Sequence, residues 1–156
     1  MIEISDIDAF VLDLDVTLLN ERKEVSPRGR SVIRRLLDAD KIVIIATARP
    51  PRWIREFIDL ELLSHLWQIA YNGAIVKDPL GRVTVHRAIL PETNRAIYHH
   101  VARAASHLAV IWEVDDTWYA NRELTTEKKI IIGVPPLLES PPIFPNLSRE
   151  LSWKKK

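Results

Sequence analysis

The stretch AFVLDLDVTLLN, residues 9–20, puts two aspartates at the end of an apolar run and follows them with a threonine. Residues 9–12 form a short, continuous apolar segment, the pattern of a strand covered on both faces. A carboxylate drawn into such surroundings is costly unless something pairs with it. Asp13 and Asp15 are therefore expected where the strand ends, at a place where a partner can reach them.

Reading outward, Ser26-Pro27 supplies an N-cap followed by proline at the first helical position. Val32, Ile33, Leu36 and Leu37 then recur at helical spacing up to Ala39. Residues 41–47, KIVIIAT, repeat the first pattern as a β-branched apolar run ending on a hydroxyl. After ARPP, Trp53, Ile54, Phe57 and Ile58 return to helical spacing, with Arg52, Arg55 and Glu56 on the other face. LWQIAY, residues 66–71, is a third buried-strand pattern, closed by the turn dipeptide Asn72-Gly73.

Strand, helix, strand, helix, strand in this order predicts parallel βαβ units with right-handed crossovers, hence an open, Rossmann-like α/β sheet. Such sheets bind ligands outside the carboxyl ends of their strands. Asp13, Thr47 and Asn72 all fall at those ends.

Beyond Asn72 the pattern changes. Residues 74–90 alternate around Pro79-Leu80-Gly81 as a hairpin does. Pro91 opens a helix expected to present Ile97, Val101, Ala105 and Leu108 on one face. AVIWEV and WYAN flank a turn at Asp115-Asp116-Thr117, KKIIIGV reads as one more strand, and a proline-rich tail follows from Pro135. The chain is thus expected to divide into a parallel-sheet part, residues 1–82, and an α+β part, residues 83–156.

Bulk properties narrow the function. At 156 residues with 47% hydrophobic and 28% charged, the chain suits one compact domain with an appendage. Its formal net charge of +1 gives no electrostatic footprint for nucleic acid or for an anionic membrane surface. There is no cysteine, hence no disulfide framework and no thiolate chemistry. The acidic amino terminus does not read as a secretory signal, and no apolar run approaches the roughly 20 residues of a membrane helix. A cytoplasmic protein is the expectation.

Asp13 and Asp15, two apart, would leave an extended segment on the same face. Two hard oxygen donors so placed suit Mg²⁺, which keeps waters and accepts a few carboxylates plus substrate phosphate oxygens. One aspartate could attack phosphorus and form an aspartyl-phosphate, while the other protonates the leaving oxygen and later activates water. Thr47 could donate its hydroxyl to a phosphoryl oxygen, and backbone N–H groups after Asp13 could cradle others. Arg49 is expected to pair with a nearby carboxylate, and also belongs with the candidate phosphate binders. Asn72-Gly73 reads first as a turn and second as a ligand contact. His99 and His100 read as a solvated helix face, His65, His86 and His107 as structural, and the scattered tryptophans as core.

On these residues the chain resembles the haloacid dehalogenase superfamily, and within it the Cof-type sugar-phosphate phosphatases. FVLDLDVTLL is similar to that family's first motif, D-x-D-x-T, with Val16 where glycine is usual. VIIATAR resembles the second motif, with Ala48 as a further departure. IAYNGAIV resembles the segment preceding the inserted cap domain, and KKIIIGVPPLLE a strand and turn within the cap. The resemblance implies Asp13 as nucleophile, Asp15 as acid/base and Thr47 as phosphate binder. It also implies Mg²⁺ held by the Asp13 carboxylate and the Asp15 backbone carbonyl. By this likeness the substrate is a small phosphorylated metabolite, and the α+β part is a partial cap. The likeness covers the first half of such an enzyme; the lysine and acidic cluster of its third and fourth motifs are not recognised in this sequence. The isolated chain is accordingly expected to be weak or inactive, the alternative being a non-catalytic interaction module that keeps a phosphate and Mg²⁺ half-site. The Asp13 strand, lacking neighbours on one side, is expected to be an exposed edge that favours homo-oligomers.

Overall fold

Ser26 caps the first long helix as its sequence dictates: its hydroxyl accepts the backbone N–H of Gly29 at 3.0 Å, and Pro27 occupies the first helical position. In the computed structural model, which describes residues 6–124, that helix, α1 (Pro27–Asp38), follows strand β1 (Ala9–Asp13) and leads into β2 (Ile42–Ala46). Two shorter helices, α2 (Pro51–Phe57) and α3 (Leu60–Leu63), precede β3 (Trp67–Ala70). Asp59 caps α3, its carboxylate accepting the Leu62 N–H at 2.9 Å. The hairpin strands β4 (Ile75–Lys77) and β5 (Val83–His86) complete a five-stranded sheet in sequential order β1-β2-β3-β4-β5. The first three strands are parallel and the last two antiparallel.

The βαβ reading of residues 9–71 therefore holds. Register rows align Asp13 with Ala46 and Ala46 with Ile69, so the carboxyl ends of three strands finish at one level. On one face of the sheet, Val43, Ile45 and Ala70 are fully buried. They share a core with Leu14, Ile33, Ile54, Ile58, Leu62 and Leu66, supplied by the loop after β1, the helices and their connections.

Coverage on both faces, expected for residues 9–12, is found on one face only. Phe10 and Leu12, in register with Val43 and Ile45, are half-buried, whereas Val11, in register with Ile44, is 60% exposed. Among the described residues β1 pairs with β2 alone and is an edge. An apolar run marks a strand able to be covered; its cover comes from elements that the run itself does not encode.

The described residues fall into two compact units that divide between Ala88 and Ile89. The second contains α4 (Pro91–Ala104) and the hairpin β6 (Ile111–Val114) and β7 (Thr117–Ala120). The hairpin turns on Asp115 and Asp116, both at positive φ (49° and 61°), as a two-residue loop of the primed type requires. The face predicted for α4 is rotated: Ile97 and Leu108 are about half exposed, and Asn94, Tyr98, Val101 and Ala105 turn inward. Trp112 decides this, because its Nε1–H donates to Asn94 Oδ1 at 3.0 Å and its ring lies 5.3 Å from that of Tyr98. The expected strand KKIIIGV and the proline-rich tail lie outside the described residues. No helix among the described residues is long and apolar enough to cross a membrane.

Candidate active site at the carboxyl ends of the parallel strands

At Asp13 the chain leaves β1 and makes one wide turn over Leu14–Leu18, closed by the Leu19 N–H on the Leu14 carbonyl at 2.9 Å. Leu14 is fully buried and anchors this turn in the core, while Asp13 and Asp15 on either side of it stay outside. The turn reverses at Val16, which is held at φ 60°, ψ 0°. Asp13 keeps an exposed carboxylate that accepts the Thr17 hydroxyl at 3.1 Å.

Asp15 goes elsewhere. Arg49 grips it with both arms, Nε to Oδ2 at 2.6 Å and Nη2 to Oδ1 at 2.7 Å, and Lys23 adds its ammonium at 3.0 Å from Oδ1. Charge-assisted bidentate bonds of this kind are among the stronger polar contacts. The Arg49 fork, more than it is offset by partial burial, and then Lys23, hold the Asp15 carboxyl at about 2. The Arg49 guanidinium is itself seated on aromatic rings, 4.5 Å above the Trp53 ring and 5.4 Å from that of Phe57, both on α2. The expectation that Arg49 pairs with a carboxylate is thus met, and α2 contributes through its aromatic face.

Thr47, buried at the end of β2, accepts the Arg49 N–H on Oγ1 at 3.1 Å, which turns the chain back after the strand. Its backbone is pinned to the next loop: Thr47 N–H donates to the Ile69 carbonyl, and Asn72 N–H to the Thr47 carbonyl. Asn72 sits at φ 54°, ψ 35°, a region that asparagine tolerates, so its first role here is the turn that clasps β2 to β3. Asp13, Thr47 and Asn72 lie at neighbouring strand ends, and Asp15 joins them through Arg49. The premise that Asp13 and Asp15 share a face on extended chain does not describe this turn, which directs the two carboxylates to different partners.

Lys23 was not among the residues that motif reading selects. It lies in the loop after the first motif, and a lone lysine in NERKE carries no spacing signal that would point it inward. The asparagine at the head of that loop is the closest thing to one, since Asn20 organises the turn that presents Lys23.

For a metal, the donors that the family resemblance implies are the Asp13 carboxylate and the Asp15 carbonyl. Hard oxygens fit Mg²⁺ as part of a shell otherwise filled by water and substrate. Among the described residues no group of three or more acidic or histidine side chains is gathered to complete a protein-only cage.

Two aspartates where the first parallel strand ends and a hydroxyl after the second lie where open α/β sheets bind ligands. The chain belongs to the haloacid dehalogenase-like hydrolases, whose family model matches residues 10–136. It is 32% identical over 78 residues to Phosphatase YwpJ of Bacillus subtilis, a match covering 50% of this chain and 27% of that protein. TM0651 of Thermotoga maritima superposes with a TM-score of 0.71 at 26% identity, over 90% of this chain and 51% of the other. BT1666 of Bacteroides thetaiotaomicron, studied among phosphatases of this superfamily, gives 0.69 at 27% identity, over 88% and 49%. The chain therefore spans about half the length of these solved relatives, and its match spans about a quarter of the curated one.

Proposed function

We propose that this chain carries the nucleophile half of a Mg²⁺-dependent phosphatase of small phosphorylated metabolites. The observation that supports it best is the placing of Asp13, exposed at the end of β1, level with the end of β2 and next to the buried Thr47. Asp13 attacks phosphorus, the bond from phosphorus to the leaving oxygen breaks, and an aspartyl-phosphate forms on Asp13. Water, giving its proton to Asp15, then attacks the phosphorus of that acyl phosphate, the P–O bond to Asp13 breaks, and phosphate leaves as the carboxylate is restored. Thr47, with its Oγ1 fixed by the Arg49 N–H, can turn its hydroxyl proton toward a phosphoryl oxygen. Mg²⁺ held by the Asp13 carboxylate and the Asp15 carbonyl would lower the repulsion between anionic nucleophile and anionic substrate.

Asp15 is the acid/base of this reading. Bound by Arg49 and Lys23 it stays ionised, the state that takes a proton from attacking water. Delivering a proton to the leaving oxygen requires those cations to turn toward the substrate. Arg49 contacts the phosphate in this reading from its seat on Trp53 and Phe57, and Asn72 sets the loop beside it. The exposed β1 edge suits self-association, which belongs to the same reading.

The test is hydrolysis of an aryl phosphate with Mg²⁺ by the chain and by Asp13→Asn. A slow turnover in the former and loss of at least about 100-fold in the latter is the expected result. Equal rates would remove Asp13 from the chemistry.

A further inference from the structure

We propose that Lys23 is a phosphate-binding residue of this site, supplying from the loop after the first motif a cation for the phosphoryl group. The inference rests on the phosphoryl-transfer reading of Asp13 and Asp15 and adds a ligand that the motifs do not name.

The loop that carries Lys23 is built firmly. Leu19 and Val25, both buried, bridge across its base. Asn20 N–H donates to the Glu24 carbonyl at 3.0 Å and Lys23 N–H to the Asn20 carbonyl at 2.9 Å. The Asn20 side chain accepts the N–H groups of both Arg22 and Glu24. Lys23 itself is held at φ 61°, a left-handed position that costs a non-glycine residue free energy. The chain adopts it in a turn that sends the ammonium to Asp15.

Charge then argues for a ligand. Asp13 and Asp15 would bring two negative charges to a site that must receive an anion. Arg49 and Lys23 bring two positive ones, both placed on Asp15. Arg49 alone already engages both oxygens of that carboxylate, so Lys23 is the second cation on a group whose pairing is satisfied. Its side chain is 51% exposed, against 20% for Arg49, so it is the freer of the two to move. An ammonium on a flexible stem moves readily from carboxylate to phosphate oxygen, whereas Arg49 is held down on Trp53 and Phe57.

Titration calorimetry of the full chain with inorganic phosphate in Mg²⁺ buffer tests this. Lys23→Met is expected to weaken binding about tenfold, and Lys23→Arg to keep it within about threefold. The double variant Lys23→Met with Asp15→Asn separates contact from charge balance, because it preserves the net charge. Binding that stays weak in the double variant supports direct contact; binding restored to the level of the unchanged protein overturns it. Equal affinity in Lys23→Met, or no phosphate binding by the unchanged chain, overturns it as well. Melting curves of each variant show that the fold is kept, which the exposure of Lys23 leads one to expect. Lys23-dependent phosphate binding without aryl phosphate hydrolysis would fault the phosphatase reading and leave this site standing.

Discussion

Val16 stands at φ 60°, ψ 0° with 93% of its surface exposed. A left-handed conformation costs an L-residue roughly 1–2 kcal/mol, and a β-branched side chain is among the least suited to it. Because the side chain packs against so little, glycine would remove the strain and lose almost no burial. Part of the gain is offset by the larger backbone entropy of glycine in the unfolded chain, about 0.5–1 kcal/mol. Val16→Gly is thus expected to raise stability by about 0.5–1 kcal/mol, read as a higher denaturant midpoint at unchanged slope. A lower midpoint would show that the valine makes contacts worth more than its strain. Asp15 makes a second prediction at this scale. Its carboxyl titrates at about 2 in the folded chain against 3.8 ordinarily, a depressed value. Its contribution to stability is therefore complete above pH 3.8 and is lost as pH falls through the folded value. Between about pH 4 and pH 2 the unchanged protein should lose more stability than Arg49→Met, in which the main cause of the shift is gone. Parallel acid titrations of the two would refute the pairing as a stabilising contact.

Helices and strands show where sequence pattern sufficed. Ser26-Pro27 named the start of α1 because an N-cap is a local device, complete within four residues, and the Ser26–Gly29 bond confirms it. Ser26→Ala is expected to cost about 1 kcal/mol, seen as a lower melting temperature; an unchanged melt would mean water replaces the hydroxyl without loss. The order of the strands and the ends at which Asp13, Thr47 and Asn72 lie were legible for the same reason, since βαβ connectivity follows from periodicity. Elsewhere the deciding contact is distant in sequence. The face of α4 is set by Trp112, 18 residues after Asn94, so helical spacing alone favoured Ile97 and Leu108. The Asp15–Arg49 pair spans 34 residues, and only the alignment of strand ends brings it together. Lys23 depends on a left-handed turn residue that no propensity signals.

At the scale of the molecule, the sheet of the first unit is an unfinished layer. Parallel sheets are normally covered on both faces, because each face is apolar. Here Val43, Ile45 and Ala70 meet a complete core, while on the reverse Val11 is open and Ile44, Trp67 and Ile69 are only partly covered. Beside that face runs β1, an edge whose outer backbone groups have no ladder among the described residues. An edge next to exposed apolar side chains is a template for pairing with another chain. In solution this chain is therefore expected to associate, with light scattering giving a mass above 18.0 kDa that rises with concentration. Val11→Lys puts a charge on the edge without removing a buried group, and should return the mass to that of one chain at an unchanged melting profile. A single-chain mass for the unchanged protein at all concentrations would sink the edge as an interface, as would an associated species that Val11→Lys leaves intact.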